Sequence, residues 1–300
     1  MKKLTKIWLI TGIVLFFVGA AIFLSTMATL SWDFRALSTV NYVKNTHTNM
    51  TPVQDITIIT STADIELIFT ETNINEVVCH ELSNVTHSVS FTDGHLVIKE
   101  KDQRKWYDHI SINFDSPRIK IFLPKAEYRA LNIETTTGEI VIADEFTFQE
   151  MNIEVSTGDL NIYADALDQA NLQTSTGDIT IKNANFGALT VNSSTGYVKL
   201  ANVNCGNFTS SSSTGNVNLS NTVISRDMHI TSNTGNVSFK DSDAKSILIR
   251  TTTGDVTGSL LSGKIFSIKT STGDISHPEN TNNGTCVITT DTGDVLISVN

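Results

Sequence analysis

The sequence predicts an all-β protein, a parallel β-solenoid (β-helix) of about nine coils with a β-rich N-terminal cap, preceded by one transmembrane helix. Three observations carry this. The dipeptide Thr-Gly recurs at Gly138, Gly158, Gly177, Gly196, Gly215, Gly235, Gly254, Gly273 and Gly293, always 19 or 20 residues apart. Apolar residues stand at fixed distances from those glycines. The chain also opens with 24 uncharged residues, from Ile7 to Leu30.

The apolar run comes first. At ~1.5 Å per residue it is about 36 Å long, enough to cross a hydrocarbon core of about 30 Å with some tilt. A secretory signal is the alternative, but its apolar part runs about 7–15 residues before a small-x-small site. Here the run is longer, and the candidate site is the weak Thr26-Met27-Ala28. An uncleaved single-pass anchor over residues 7–30 in the lipid bilayer is therefore favoured. Lys2, Lys3 and Lys6 precede the span, whereas Asp33 and Arg35 follow it. That bias puts residues 1–6 in the cytoplasm, with Trp8 and Trp32 near the two interfaces, and leaves the C-terminal domain extracellular. No Cys follows the run, so a lipid attachment there is not expected. Residues 31–50 read as a juxtamembrane linker.

Charge and composition exclude several classes. Net charge is −10 although the first six residues carry +3, so the remainder carries −13 and has no electrostatic footprint for nucleic acid. With 40% hydrophobic and only 17% charged residues, the chain is neither a disordered acidic polymer nor a coiled coil.

Aligned on the glycines, the repeat shows which positions face inward. Seven residues earlier stand Leu131, Met151, Ala170, Leu189, Phe208, Met228, Ile247, Phe266 and Cys286, all apolar. Five earlier, only Ser210 interrupts a column of Ile, Leu and Val; two later, the column is apolar throughout. The period within each arm is 2, as in a strand, and its parity switches at the glycine, where the chain turns a corner. Three apolar side chains per coil supply about 5–9 kcal/mol, while ordering some 19 residues costs about 20–40 kcal/mol, so coils must stack. An antiparallel sandwich would need alternating hairpin turns, whereas here every unit repeats one corner. Residues 131–300 are therefore the solenoid. Residues 51–130 carry β-runs without the period, around Val77-Val78-Cys79, Leu96-Val97-Ile98 and Ile119 to Leu123, and read as the cap. Within them Ile56 to Ile65 looks like a degenerate unit with Ala63 in the corner.

The stretch Ile119-Lys120-Ile121-Phe122-Leu123-Pro124-Lys125-Ala126-Glu127-Tyr128, followed by repeated Ser/Thr-Thr-Gly-Asp-Ile/Val units, resembles the bacterial "putative adhesin" β-strand-repeat family, a domain of unknown function. The resemblance covers residues 51–300 and extends to LiaG-type membrane-anchored envelope proteins. It implies the solenoid fold, a cell-envelope location and a link to envelope stress. It brings no catalytic motif.

The columns offer candidate chemistry. After each corner glycine stand Glu139, Asp159, Asp178, Tyr197, Asn216, Asn236, Asp255, Asp274 and Asp294. Stacked carboxylates suit Ca²⁺, with Asp255, Asp274 and Asp294 the best placed, or a carboxylate pair of glycosidase type. Yet Asp and Asn also satisfy turn backbone on their own, which is the favoured account. The Thr before each glycine is expected to point inward as a buried hydroxyl ladder. Four residues before glycine runs an outward column, Glu134, Glu154, Gln173, Asn192, Ser211, Thr231, Arg250, Lys269 and Thr289, drifting from acidic to basic. Such a column suits contact with an envelope polysaccharide or a protein partner, and a solvated face explains it equally well.

Three cysteines complete the inventory. Cys205 is aligned with Phe148, Leu167 and Phe186, and Cys286 lies in an apolar column about four coils away, near 19 Å, too far for a disulfide. Cys79 has no assigned place, and no Cys/His group has zinc spacing. No coil departs from 19–20 residues to build a cleft, so the expected function is a non-catalytic, adhesin-like scaffold without a cofactor; a polysaccharide-acting β-helix enzyme is the alternative. The last coil, ending Val295 to Asn300, is expected to expose strand edges and to pair end to end or take a partner.

Overall fold

The computed structural model describes residues 3–38, 40–105 and 115–300. Lys2 of the basic N-terminal segment lies outside them. Helix α1 spans Lys3–Thr29, within which Thr5–Thr29 is long and apolar enough to cross a membrane. Large side chains along it, such as Trp8, Phe16 and Ile22, are exposed, whereas Met27 in its last turns is buried.

Strands β1 (Tyr42–Asn49), β2 (Asp55–Thr62), β3 (Asp64–Thr70), β4 (Asn75–Leu82), β5 (Val85–Thr92), β6 (His95–Asp102) and β7 (Arg118–Pro124) form the N-terminal end. β1 pairs antiparallel with β4, so the linker expected at 31–50 contributes a strand to the cap. The cap is also more solenoid-like than its irregular sequence suggests. β2 stacks in parallel on the long strand of the Gly138 coil, with Ala63 beneath Gly138, while β6 and β7 stack in parallel on the outer side of β2 and β3. Among the described residues only β1, β4 and β5 run antiparallel to their neighbours.

From Gly138 onward each coil is a long strand ending in Thr, a glycine corner and a short strand, as in Thr147–Thr157, Gly158 and Leu160–Ile162. Mid-stack, Gly215 follows Asn204–Thr214 and leads into Val217–Ser220, and Gly235 follows Val223–Thr234. All nine corner glycines share one conformation, with φ between +142° and +152°. The corners are tied from coil to coil: the Gly215 amide donates to the Thr234 carbonyl at 3.0 Å, and the Gly235 amide to that of Thr253 at 2.9 Å. Parallel register joins equivalent residues along the strands, for example Ile153 with Ile133 on one side and Leu172 on the other. The inward columns are buried, and they merge into one continuous core. At the next bend Asn183, Asn202 and Asn221 adopt φ near +50°, a conformation Asn tolerates, and their amides form a ladder of 2.9 and 3.2 Å hydrogen bonds.

Three expectations need correction. The Thr before each glycine is exposed in all nine coils. The chain already swings outward two residues before the corner, so the inward hydroxyls sit three before it: Thr135, Thr174, Ser193, Ser212, Ser232, Thr251 and Thr290 are buried. In the Cys205 column the partner is Ala166, because a bulge extrudes Leu167, which is 46% exposed.

The third correction concerns order. The long strand of the Gly254 coil pairs with Thr285–Thr292 of the Gly293 coil, which in turn pairs with Ile265–Thr272 of the Gly273 coil. The corners therefore stack as Gly254, Gly293, Gly273, and the chain's last strand, Val295–Val299, lies between two others. The strand edge belongs to Ile265–Thr272 and Ile275–Ser276, where Ile265 and Ile275 are each 45% exposed. Among the described residues nothing pairs with that edge. Cys205 and Cys286 are accordingly three coils apart, not four.

Candidate binding face

The outward column forms as predicted by parity. In parallel register the order is Glu134, Glu154, Gln173, Asn192, Ser211, Thr231, Arg250, Thr289 and Lys269, with the last two exchanged by the tucked coil. At ~4.8 Å per step the nine side chains span about 38 Å. Glu134, Glu154, Gln173, Ser211, Arg250 and Lys269 are exposed or nearly so, and Asn192, Thr231 and Thr289 are half-buried. Beside it runs a second polar column that begins Asn132, Asn152, Asn171, Thr190 and Thr209. Adjacent side chains touch lightly, as in the 3.5 Å contact from Gln173 Nε2 to Glu154 Oε1. The surface is polar and repetitive, with acids at the cap end, where Thr57, Asn132, Glu134 and Glu154 line a small open pocket, and Arg250 and Lys269 at the other.

The corner acids do something different. Asp159 Oδ1 accepts the Asp178 amide at 2.7 Å, Asp178 Oδ1 accepts that of Tyr197 at 2.8 Å, and Asn216 and Asn236 continue the pattern beside Gly215 and Gly235. At the far end Asp255 Oδ1 accepts the Asp294 amide at 2.9 Å and Asp294 Oδ1 the Asp274 amide at 2.8 Å. Each side chain thus satisfies a backbone donor of the neighbouring coil. In Asp255 and Asp294 one oxygen of the Ca²⁺ candidate set is already used, and the spatial order is Asp255, Asp294, Asp274. At Asp178 burial opposes ionisation, but the Lys199 ammonium at 2.7 Å and the Tyr197 amide outweigh it and lower the pKa.

All three cysteines are free and buried. Burial pushes each thiol up to about 12, helped at Cys79 by the charge of Glu81. Native protein at pH 8 should therefore leave all three unalkylated, while denatured protein takes up three equivalents of reagent by mass; labelling in the native state would contradict the burial.

One group of polar side chains has no counterpart in the predicted sites. Cys79, Glu81 and His87 meet inside the cap, with donor atoms within 4.8 Å of one another. Zinc spacing rules do not reveal them, because a hairpin rather than a metal-binding loop brings them together. The signal available was the alternation Cys79-x-Glu81 ahead of a turn at Ser83-Asn84.

Fold and surface together define a parallel β-solenoid carrying a long polar ladder face behind an apolar helix. The chain belongs to the Toastrack DUF4097 family, which matches it over residues 53–204 and again over 185–300. No curated protein matches it. Among solved structures, it is similar to a "putative lipid binding protein" from Parabacteroides distasonis at 16% identity and a TM-score of 0.54, over 85% of this chain and 98% of that one. A "putative adhesin" from the same species matches at 11% identity and a TM-score of 0.51, over 87% and 98%. Another, from Parabacteroides merdae, matches at 10% identity and a TM-score of 0.50, over 85% and 96%. At these identities the likeness is one of fold.

Proposed function

We propose that this protein is a membrane-anchored, adhesin-like scaffold of the bacterial cell envelope whose ladder face binds an extended envelope polymer. The observation that carries this is the uninterrupted polar column from Glu134 to Lys269, one side chain per coil at ~4.8 Å over about 38 Å. A long repetitive polar surface suits a polysaccharide strand, which offers hydroxyls along its length, better than a compact small molecule. α1 would hold the solenoid at the outer membrane surface, with Lys3 and Lys6 toward the cytoplasm. The names of the structural neighbours, adhesins and a lipid-binding protein, are compatible with a non-catalytic role. A link to envelope stress follows only from the LiaG-type resemblance.

The test uses full-length protein in detergent and immobilised cell-wall glycan. Wild type should be retained, and the face variant Gln173→Ala/Ser211→Ala/Arg250→Ala should lose at least ~10-fold in affinity, since each desolvated polar contact contributes roughly 0.5–1.5 kcal/mol. Lys199→Ala, on the short-strand face, should bind as wild type. Reducing ends are measured in parallel. Turnover without stable retention would replace this reading by the polysaccharide-acting enzyme, and retention unaffected by the face variant would place the ligand elsewhere.

A further inference from the structure

Alternation along β4 sends Val77, Cys79 and Glu81 inward, and the turn after Leu82 lets β5 send Val85 and His87 inward beside them. The side chains of Glu81 and His87 are each 1% exposed, unusual for groups that carry charge. His87 Nδ1 lies 2.7 Å from Glu81 Oε2, which also accepts the His87 amide at 2.7 Å, and Asn45 Nδ2 donates to Glu81 Oε1 at 2.5 Å. On the other side of the ring, Nε2 is 3.0 Å from Thr60 Oγ1. Thr60 donates to Glu100 Oε2 at 2.8 Å, and the Ser61 amide donates to the same oxygen at 2.6 Å. Burial opposes ionisation of Glu100, but the donors on Ser61, Thr60 and Thr62 outweigh it and lower its pKa, so Glu100 accepts. The single Thr60 hydroxyl proton is committed to Glu100, and Thr60 must accept from His87 Nε2–H. Nδ1 is thereby the atom turned toward Glu81 and Cys79.

We propose that Cys79, Glu81 and His87 form a buried zinc-type cation site that ties β4 to β5. A thiolate, an imidazole and a carboxylate are the donors Zn²⁺ takes, and these three converge within 4.8 Å. The Nε2–H to Thr60 to Glu100 chain is the outer arrangement that orients a ligating histidine, and Asn45 does the same for Glu81. A second observation points to the same place. On β1, Asn45 stands opposite Cys79 and His47 opposite Val77, so His47 is diagonal to Cys79 on the shared face. Its Nε2 is buried and makes no hydrogen bond. His47 stands beside the trio, outside the three donors that converge within 4.8 Å. A divalent ion entering the site releases the Cys79 thiol proton and the proton on the Nδ1 to Oε2 line, so two charges replace two and the buried net charge is unchanged.

The test uses full-length protein in detergent, stripped with a chelator and probed with Zn²⁺ or Co²⁺ alone. One ion per chain should bind, and Co²⁺ should give a thiolate-to-cobalt charge-transfer band. Cys79→Ser should abolish that band and weaken Zn²⁺ at least ~10-fold, with His87→Gln weakening it similarly and Cys205→Ser leaving it unchanged. The wild-type cobalt spectrum decides even if a variant does not fold, because bound Co²⁺ without a thiolate band places the ion elsewhere. No binding by wild type, or equal Zn²⁺ binding by folded Cys79→Ser, overturns the proposal.

Discussion

Replacing Gly196 with Ala should lower the melting temperature of the solenoid by at least ~6–12 °C. Gly196 sits mid-stack with φ +142°, in backbone space that glycine alone populates. A Cβ placed on it would lie 2.0 Å from the Gly177 carbonyl oxygen and 2.6 Å from its carbon, both backbone atoms of a corner whose amide is tied to the Thr195 carbonyl at 2.9 Å. Backbone strain of about 1–3 kcal/mol and a similar overpacking cost combine to at least ~3 kcal/mol. For a domain of this size each kcal/mol moves the midpoint by roughly 2–4 °C. Gly12→Ala is the control: nothing lies within 4 Å of that position in α1, and the solenoid transition should not move. The chain contains its own comparison at Ala63, the corner of the β2–β3 coil, whose φ is not positive. On its outer side β6 ends at Asp102 and β7 begins at Arg118. A circular dichroism melt in which Gly196→Ala matches wild type would mean that the stack can open at a corner without cost.

The solenoid was legible because its rules are periodic. A fixed glycine spacing and columns of Ile, Leu and Val impose coil, corner and inward face independently of tertiary detail, and Leu131 to Cys286 are buried in turn, with Phe266 the least covered. What escaped was the departure from strict alternation at bends. The outward swing before each corner exposes Thr157, where a period of 2 carried on from Met151, Ile153 and Val155 would place an inward side chain. Coil order at both ends escaped as well, since spacing along the chain is the same whichever coil lies outermost. A trace of it is visible in hindsight. Four residues after the corner, Ile142, Ile162, Ile181, Leu200, Leu219, Phe239 and Ile297 are buried, whereas the Gly273 coil has exposed His277 there, followed by Pro278. The inner Gly254 coil has Gly258 at that post, so it is the exposed His277-Pro278 pair and not the mere lack of an apolar side chain that marks the outer coil. The ladder face was legible for the same periodic reason, and the Cys79, Glu81 and His87 group was not, because it depends on a hairpin fold-back with no repeat to announce it.

The tucked C-terminal order has a specific fastening, and breaking it should be the other large effect. Lys264, on the way into the Gly273 coil, is 2% exposed; its ammonium lies 2.6 Å from Asp243 Oδ1 and donates to Ser262 Oγ at 2.7 Å. Ser262 in turn donates to Asp243 Oδ2 at 2.6 Å. Asp243 belongs to the Gly254 coil, and the third oxygen near the ammonium, the Asn283 carbonyl at 3.4 Å, belongs to the segment entering the Gly293 coil. One buried cation therefore touches the Gly254 coil and both of the coils exchanged beyond it. Asp243→Asn keeps the shape and removes the charge, leaving an uncompensated buried ammonium at a cost of about 3–5 kcal/mol. Because solenoid coils lose contacts locally, that cost should fall on the last three coils first. The expected result is faster hydrogen exchange at Val295–Val299 and at Ile265–Thr272, with Leu131 to Ile142 unchanged, and a melt lowered by roughly 6–20 °C. Lys264→Met should cost less, since Asp243 retains Ser262 and is 15% exposed, and Asp243→Asn/Lys264→Met should recover most of the loss. If Asp243→Asn exchanges at wild-type rates in the final coils, apolar burial of Ile288 and Val295 alone must determine which coil is outermost.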